Sequence, residues 1–199
     1  MGYSMNTPLA GGLRLTDGSS TVGTVNQPVS GTITVVDEQF GPFVRSTFTL
    51  AAAQIPVTDA AGSGSHGPLK IYDFPEGAIS FLGCRQNYTA FAEGAALTGA
   101  AGDAAFEIGV GTTIIAAAAD GTLGDGVNEN VGQAVAVTLS GGTGTGTAVD
   151  GAKTTALNGT ATAIDLNLNW SGSAATIEAN STIDVTGTIT VLWCFMGDD

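Results

Sequence analysis

Near its end the chain alternates with a period of two. Ile183, Val185, Ile189, Val191, Trp193 and Phe195 occupy odd positions, with Thr182, Asp184, Thr186, Thr188 and Thr190 between them. Successive side chains of a strand point to opposite faces, so this stretch predicts a long strand with one face in a core and one in water. Gly187, at its middle, predicts a bulge or a close backbone approach. A second clean division occurs where Ile164, Leu166, Leu168 and Trp170 alternate with Asp165, Asn167 and Asn169, and a third where Ile33 and Val35 alternate with Thr32 and Thr34. Val44, Ser46, Phe48 and Leu50 against Arg45, Thr47 and Thr49 form a fourth, which Ala53 to Val57 either continue or follow as a separate strand.

The rest of the chain agrees with an all-β fold. Its 199 residues include 30 glycines, and although 43% are hydrophobic, much of that share is alanine. Abundant Thr, Ser and Val favour strands and turns. Strand-like runs also occur at Ala78 to Leu82, Arg85 to Phe91, Ala104 to Val110 and Ala134 to Leu139, while Thr112 to Ala119 reads as strand or short helix. About eight to ten short strands with Gly-rich turns predict an antiparallel two-sheet β-sandwich, of jelly-roll type before immunoglobulin type, because no Cys and Trp spacing supports the latter. Residues 29–199 form this single domain. Residues 1–28, with Gly11, Gly12, Asp17-Gly18 and Pro28 and no sustained period, form an N-terminal arm, either a disordered tail or an extended segment that orders against a neighbouring subunit.

Charge excludes some partners. Eighteen acidic residues stand against five basic ones, Arg14, Arg45, Lys70, Arg85 and Lys153, for a formal net charge of −13. Phosphate backbones and anionic membrane surfaces would be repelled, so neither nucleic acid nor membrane is expected as a partner. No apolar run approaches the length of a membrane helix and no secretory signal is visible, which predicts a soluble product. Cys84 and Cys194 each sit in an apolar run and read as free thiols rather than a disulfide.

No residue constellation points to catalysis or to a cofactor. His66 lies in the stretch DAAGSGSHG, Asp59 to Gly67, which reads as a polar, Gly-rich loop; it has no partner that marks it as a base and reads as a solvated loop histidine, and no Gly-x-Ser-x-Gly elbow surrounds a serine. The acidic loop ADGTLGDGVNEN offers Asp120, Asp125, Asn128 and Glu129 as oxygen ligands for Ca²⁺, but its spacing is not that of an EF-hand and a solvated loop is the favoured reading. The run GGTGTGT lacks the following Lys-Ser or Lys-Thr and the βαβ context of a phosphate cradle.

The stretch PLKIYDFPEGAISFLG, Pro68 to Gly83, combines strand, turn and strand. Lys70, Tyr72, Asp73, Pro75, Glu76 and Gly77 make it a structural corner, in which Pro75 stops one strand and Glu76-Gly77 turns the chain into the next. With the block Lys70 to Gly77, and with the closing stretch TIDVTGTITVLWCFMGDD, most of residues 47–199 resembles a family of tailed-phage capsid-associated proteins, while the N-terminal arm is unmatched. The resemblance implies a jelly-roll head decoration or cement protein without catalytic residues, soluble in the host cytoplasm and then bound on the outside of the virion. Its partners would be the major capsid protein and further copies of itself as a homotrimer. Phe40, Phe43 and Tyr88, with Phe48 and Phe81, are then the candidates for an intersubunit patch. The reading from another class is a glycan-binding jelly-roll module of a phage tail or fibre or of a bacterial surface protein, with Trp170, Trp193 and Tyr88 as stacking residues.

Overall fold

The structure is a computed structural model and describes residues 14–15, 22–59, 64–94, 103–116, 123, 128–140, 143–144, 148–151, 155–159, 163–172 and 179–197. Among these residues the fold is all-β and antiparallel, with no helix. Thirteen strands are formed: β1 (Arg14–Leu15), β2 (Thr24–Val25), β3 (Thr32–Phe40), β4 (Phe43–Asp59), β5 (Ser65–Asp73), β6 (Gly77–Glu93), β7 (Asp103–Gly111), β8 (Gly132–Ser140), β9 (Thr143–Gly144), β10 (Ala148–Gly151), β11 (Thr155–Gly159), β12 (Asp165–Gly172) and β13 (Ser181–Gly197).

Hydrogen bonding joins them in the order β1-β3-β4-β13-β6-β9-β8-β7-β12-β5-β2, with β10 and β11 also on β6. Two broad ladders, β3-β4-β13-β6 and β8-β7-β12-β5, are linked at one side by the two-residue β9 and at the other by the pairs Thr58↔His66 and Asp59↔Ser65. The sheet therefore nearly closes on itself, where the alternation had suggested two separate sheets. Local patterning reports which residues face inward, but the short pairings at the corners join strands distant in sequence and leave no periodic trace.

The predicted long strand is β13, which pairs with β4 along one side and β6 along the other. Its odd-numbered apolar residues from Ile183 to Trp193 are buried. At Gly187 the register shifts, and a Cβ there would stand 2.4 Å from the Asn87 carbonyl oxygen, so this glycine serves both a bulge and a close approach. In β4 the buried series passes from the even residues Val44 to Leu50 to the odd residues Ala53 to Val57. The phase changes at Ala52, whose φ of 49° lies in the left-handed region. One bent strand thus spans what the sequence leaves as one strand or two. Likewise β6 unites two runs read as separate, because the inward set moves from Ile79 and Phe81 to Cys84, Gln86 and Tyr88.

Phe74, just beyond β5, sits at the centre of the core. Its ring makes edge contacts with Tyr72, Phe81 and Trp193 at centroid distances of 5.1, 5.2 and 5.0 Å. Tyr72 continues the series to Phe48 at 5.2 Å. A second group, in which Phe91 reaches Trp170 at 5.8 Å, connects β6 with β12 across the interior. The Trp193 indole N–H donates to the buried Ser46 hydroxyl at 2.9 Å, which satisfies the polar end of the ring. Replacing Phe74 by Ala removes three edge contacts and opens a central cavity, so Phe74→Ala will lose about 3–5 kcal/mol in denaturant unfolding. Glu76→Ala, at an exposed position one turn away, will stay within about 0.5 kcal/mol.

Candidate functional site

The corner block divides into a core half and a surface half. Tyr72 and Phe74 are buried, whereas Lys70, Asp73 and Asp165 meet at the surface. Pro75 and exposed Glu76 follow, and Gly77, with φ of 129°, takes a conformation that side chains resist as the chain enters β6. Lys70 Nζ lies 2.5 Å from Asp73 and 3.1 Å from Asp165, and its pKa is raised chiefly by the bond to Asp73. The two carboxyls differ. Burial works against ionisation of Asp73, but bonds from Lys70 and Asn26 outweigh it and hold its pKa below the ordinary range; burial and the neighbouring Asp73 raise that of Asp165.

Directly behind this cluster lies a socket that holds the segment before β3. Asp37 on β3 is fully buried and accepts the Tyr72 hydroxyl at 2.9 Å and the Val22 backbone N–H at 2.6 Å. Burial, and the Asp37 carboxylate after it, push the Tyr72 pKa far up, so the phenol remains a donor. The Gly23 N–H donates in turn to the Tyr72 oxygen, and a Cβ at Gly23 would meet the Asp73 carbonyl oxygen at 2.2 Å. Thr24 and Val25 pair with Asp73 and Tyr72, and the Asn26 side chain donates to Asp73 at 3.0 Å. The Gln27 side chain bonds both backbone groups of Ile33, at 2.7 and 2.9 Å. The later part of the segment expected as an arm is thus part of the sheet. Asp37 continues the inward series of Ile33 and Val35, and a carboxylate at an inward position was the sequence signal for this socket.

The third feature is the outward face of β3, β4, β13 and β6. Register sets four rows across it: Phe40–Phe43–Cys194, Glu38–Arg45–Leu192–Gly83, Val36–Thr47–Thr190–Arg85 and Thr34–Thr49–Thr188–Asn87. Phe40, Phe43, Val36, Leu192 and neighbouring Met196 are 38–51% exposed. Glu38 is the one carboxylate in these rows and is ion-paired with Arg45. At Gly83 an added Cβ would meet no atom within 4 Å, which leaves a shallow notch beside Leu192. Leu192 and Met196 interrupt the polar even-numbered series of β13, the signal by which they were findable.

Of the residues expected at an intersubunit patch, Phe40 and Phe43 lie on this face. Tyr88 does not: it is 1% exposed, its hydroxyl donates to Gln86 at 2.7 Å, and inward phase in β6 places it in the core with Phe48 and Phe81. Trp170 and Trp193 are fully buried as well, so the three aromatics named for glycan stacking have no open ring face. His66 belongs to β5, opposite Ser171 and Thr58, rather than to a loop. Both cysteines are free, and burial pushes the Cys84 thiol up to about 12.

Asp120 and Asp125 lie outside the described residues. Asn128 and Glu129 are buried, with Asn169 donating to the Asn128 and Thr113 carbonyls at 2.7 and 2.9 Å and accepting from Ile115 N–H at 3.0 Å. These bonds lock two loop segments onto β12. Among the described residues no group of three His, Cys, Asp or Glu side chains gathers as a metal site, and no helix is long and apolar enough to cross a membrane.

No family model, no characterised protein and no solved structure matches the chain.

The surface cluster sets a pH dependence. Asp73, held ionised by Lys70, contributes stability that is present above the ordinary carboxylate pKa and lost as pH falls through its lower folded value. Lys70→Met will therefore destabilise at pH 6 more than at pH 3, read by thermal unfolding. In a carboxyl NMR titration of the wild type, Asp165 will take up its proton at higher pH than Asp73.

Proposed function

We propose that the chain is a structural, non-catalytic virion protein, a decoration or cement protein that binds the outside of a tailed-phage head and holds adjacent capsomers together. The observation that carries this reading is the outward face of β3, β4, β13 and β6. In a protein with net charge −13, the four rows of this face carry Phe, Leu, Val and Thr and a single carboxylate, Glu38, already paired with Arg45; Asp184 lies farther along β13, bonded by Gln54. Protein interfaces are depleted of charge at their centre and enriched in Phe, Met and Arg, because apolar area leaves water favourably while unpaired charge does not. The rest of the acidic surface keeps the free protein soluble in the host cytoplasm before assembly.

The reading carries with it a jelly-roll arrangement, favoured by the two facing ladders, and an arm in the early part of residues 1–28. The partners are the major capsid protein and further copies of the chain, as a homotrimer. Bridging neighbouring capsid subunits adds binding free energy to the closed shell and opposes its separation.

The test is co-sedimentation of the purified protein with capsids that lack it. Saturable binding in fixed ratio to the capsid subunit is expected. Phe43→Glu and Leu192→Glu will each weaken it at least about tenfold, with unchanged unfolding midpoints, since both side chains are exposed. Binding that survives both substitutions would remove this face from the contact, and absence of capsid binding by the wild type would remove the reading.

A further inference from the structure

The socket of Asp37, Tyr72 and Asp73 is a receiving site for a strand, separate from the outward face. We propose that it is an arm-exchange site: residues 22–27 of a second copy of the chain fill it and link neighbouring subunits. The ligand is an extended peptide, and its sequence is specified by the socket. Position 23 must be glycine, because the Asp73 carbonyl and the Tyr72 ring occupy the space of a Cβ at 2.2 and 2.6 Å. Position 26 must donate to Asp73, which Asn26 does at 3.0 Å, while its backbone N–H donates to the Ile71 carbonyl at 3.0 Å. The N–H groups at positions 22 and 23 bond a fully buried carboxylate and phenol, so an empty socket would take one donor from each. A vacated site strongly favours refilling by the same segment, from either copy.

The connector makes the choice of copy open. Val29 is 97% exposed, the Ser30 carbonyl accepts from the Gln54 N–H at 3.1 Å, and Gly31, at φ of 80°, then passes over Ala52, whose φ of 49° is strained for a residue with a side chain. A Cβ on Gly31 would stand 1.9 Å from the Ala52 carbonyl oxygen. A short, largely exposed connector that crosses a strained backbone position between a docked strand and its domain is an arrangement from which exchange between identical chains proceeds at low cost, because every contact of the closed monomer is remade in the exchanged form. The segment is held chiefly by hydrogen bonds and one partly buried side chain, Val25, so its release exposes little apolar surface.

Two measurements on the purified full chain, without capsids, test this. Thr24 and Asp73 are cross-strand partners, so Thr24→Cys with Asp73→Cys, in a Cys194→Ser background, is oxidised after incubation over a range of protein concentrations. Exchange predicts a disulfide-linked dimer whose share rises with concentration; linkage within one chain at every concentration would overturn it. Because loss of Asp73 weakens the socket, a second variant keeps it intact. Deleting Pro28 and Val29 shortens the connector by about 7 Å and prevents docking in the same chain. Sedimentation should then show the chain entirely in species of two or more copies, with the Val22 and Gly23 amides still protected from hydrogen exchange. A monomer with both amides unprotected would overturn the proposal.

Discussion

The edge contacts of Phe74 are the interaction on which the rest of the structure depends. This ring stands between the end of β5 and the start of β6, and it touches aromatic side chains of β5, β6 and β13. Pro75 follows it at once, so the strand cannot continue past the residue that fills the core. The fixed φ of proline and the positive φ of Gly77 then direct the chain into β6 with Phe74 still pointing inward. Loss of that ring would loosen the two ladders from each other, since Tyr72 and Phe48 pack through it toward Trp193. The same segment holds the charged cluster of Lys70, Asp73 and Asp165 on its outer side. Core anchor and surface electrostatics are therefore consequences of one short stretch read on its two faces.

β13 shows the same economy over a greater length. Its odd residues face the core and its even residues face outward, so a slip of one residue would bury threonines and expose Trp193. The bulge at Gly187 fixes the register against both neighbours. That fixed register is also what brings Leu192 beside Arg45 and Cys194 beside Phe43, so the composition of the outward face is determined by the packing of the inward one.

Much of this was legible in the residues. The strands β3 and β13 follow from alternation alone, since each keeps its phase through the buried part; alternation locates β12 as well, but its polar residues Asn167 and Asn169 are buried like its apolar ones, because Asn169 bonds the loop segments packed over that face. β4 and β6 were harder, because Ala52 in one and the Gly83 region in the other reset the phase, and a reset looks like an interruption when no partner strand is in view. Tyr88 was misassigned to a subunit contact for that reason: after the reset, even positions of β6 are inward. The socket was not foreseen, although Asp37 sits in an inward series. Its partners Val22, Gly23 and Tyr72 come from distant parts of the chain and are joined through backbone groups, which carry no side-chain pattern. The near closure of the sheet was illegible on the same ground, resting on pairs such as Thr58 with His66.

β13 is central in its ladder yet follows every other strand in chain order. During synthesis β4 and β6 must wait, each with an open edge, until residues 181–197 have left the ribosome. The parts made earlier cannot complete the core, because Trp193, Val191 and Ile189 are missing from its centre. A chain cut short before β13 is thus left with exposed apolar faces and is open to proteolysis, so folding itself selects for chains in which this strand has been made. For any protein assembled in many copies, that order of events keeps truncated subunits out of the assembly.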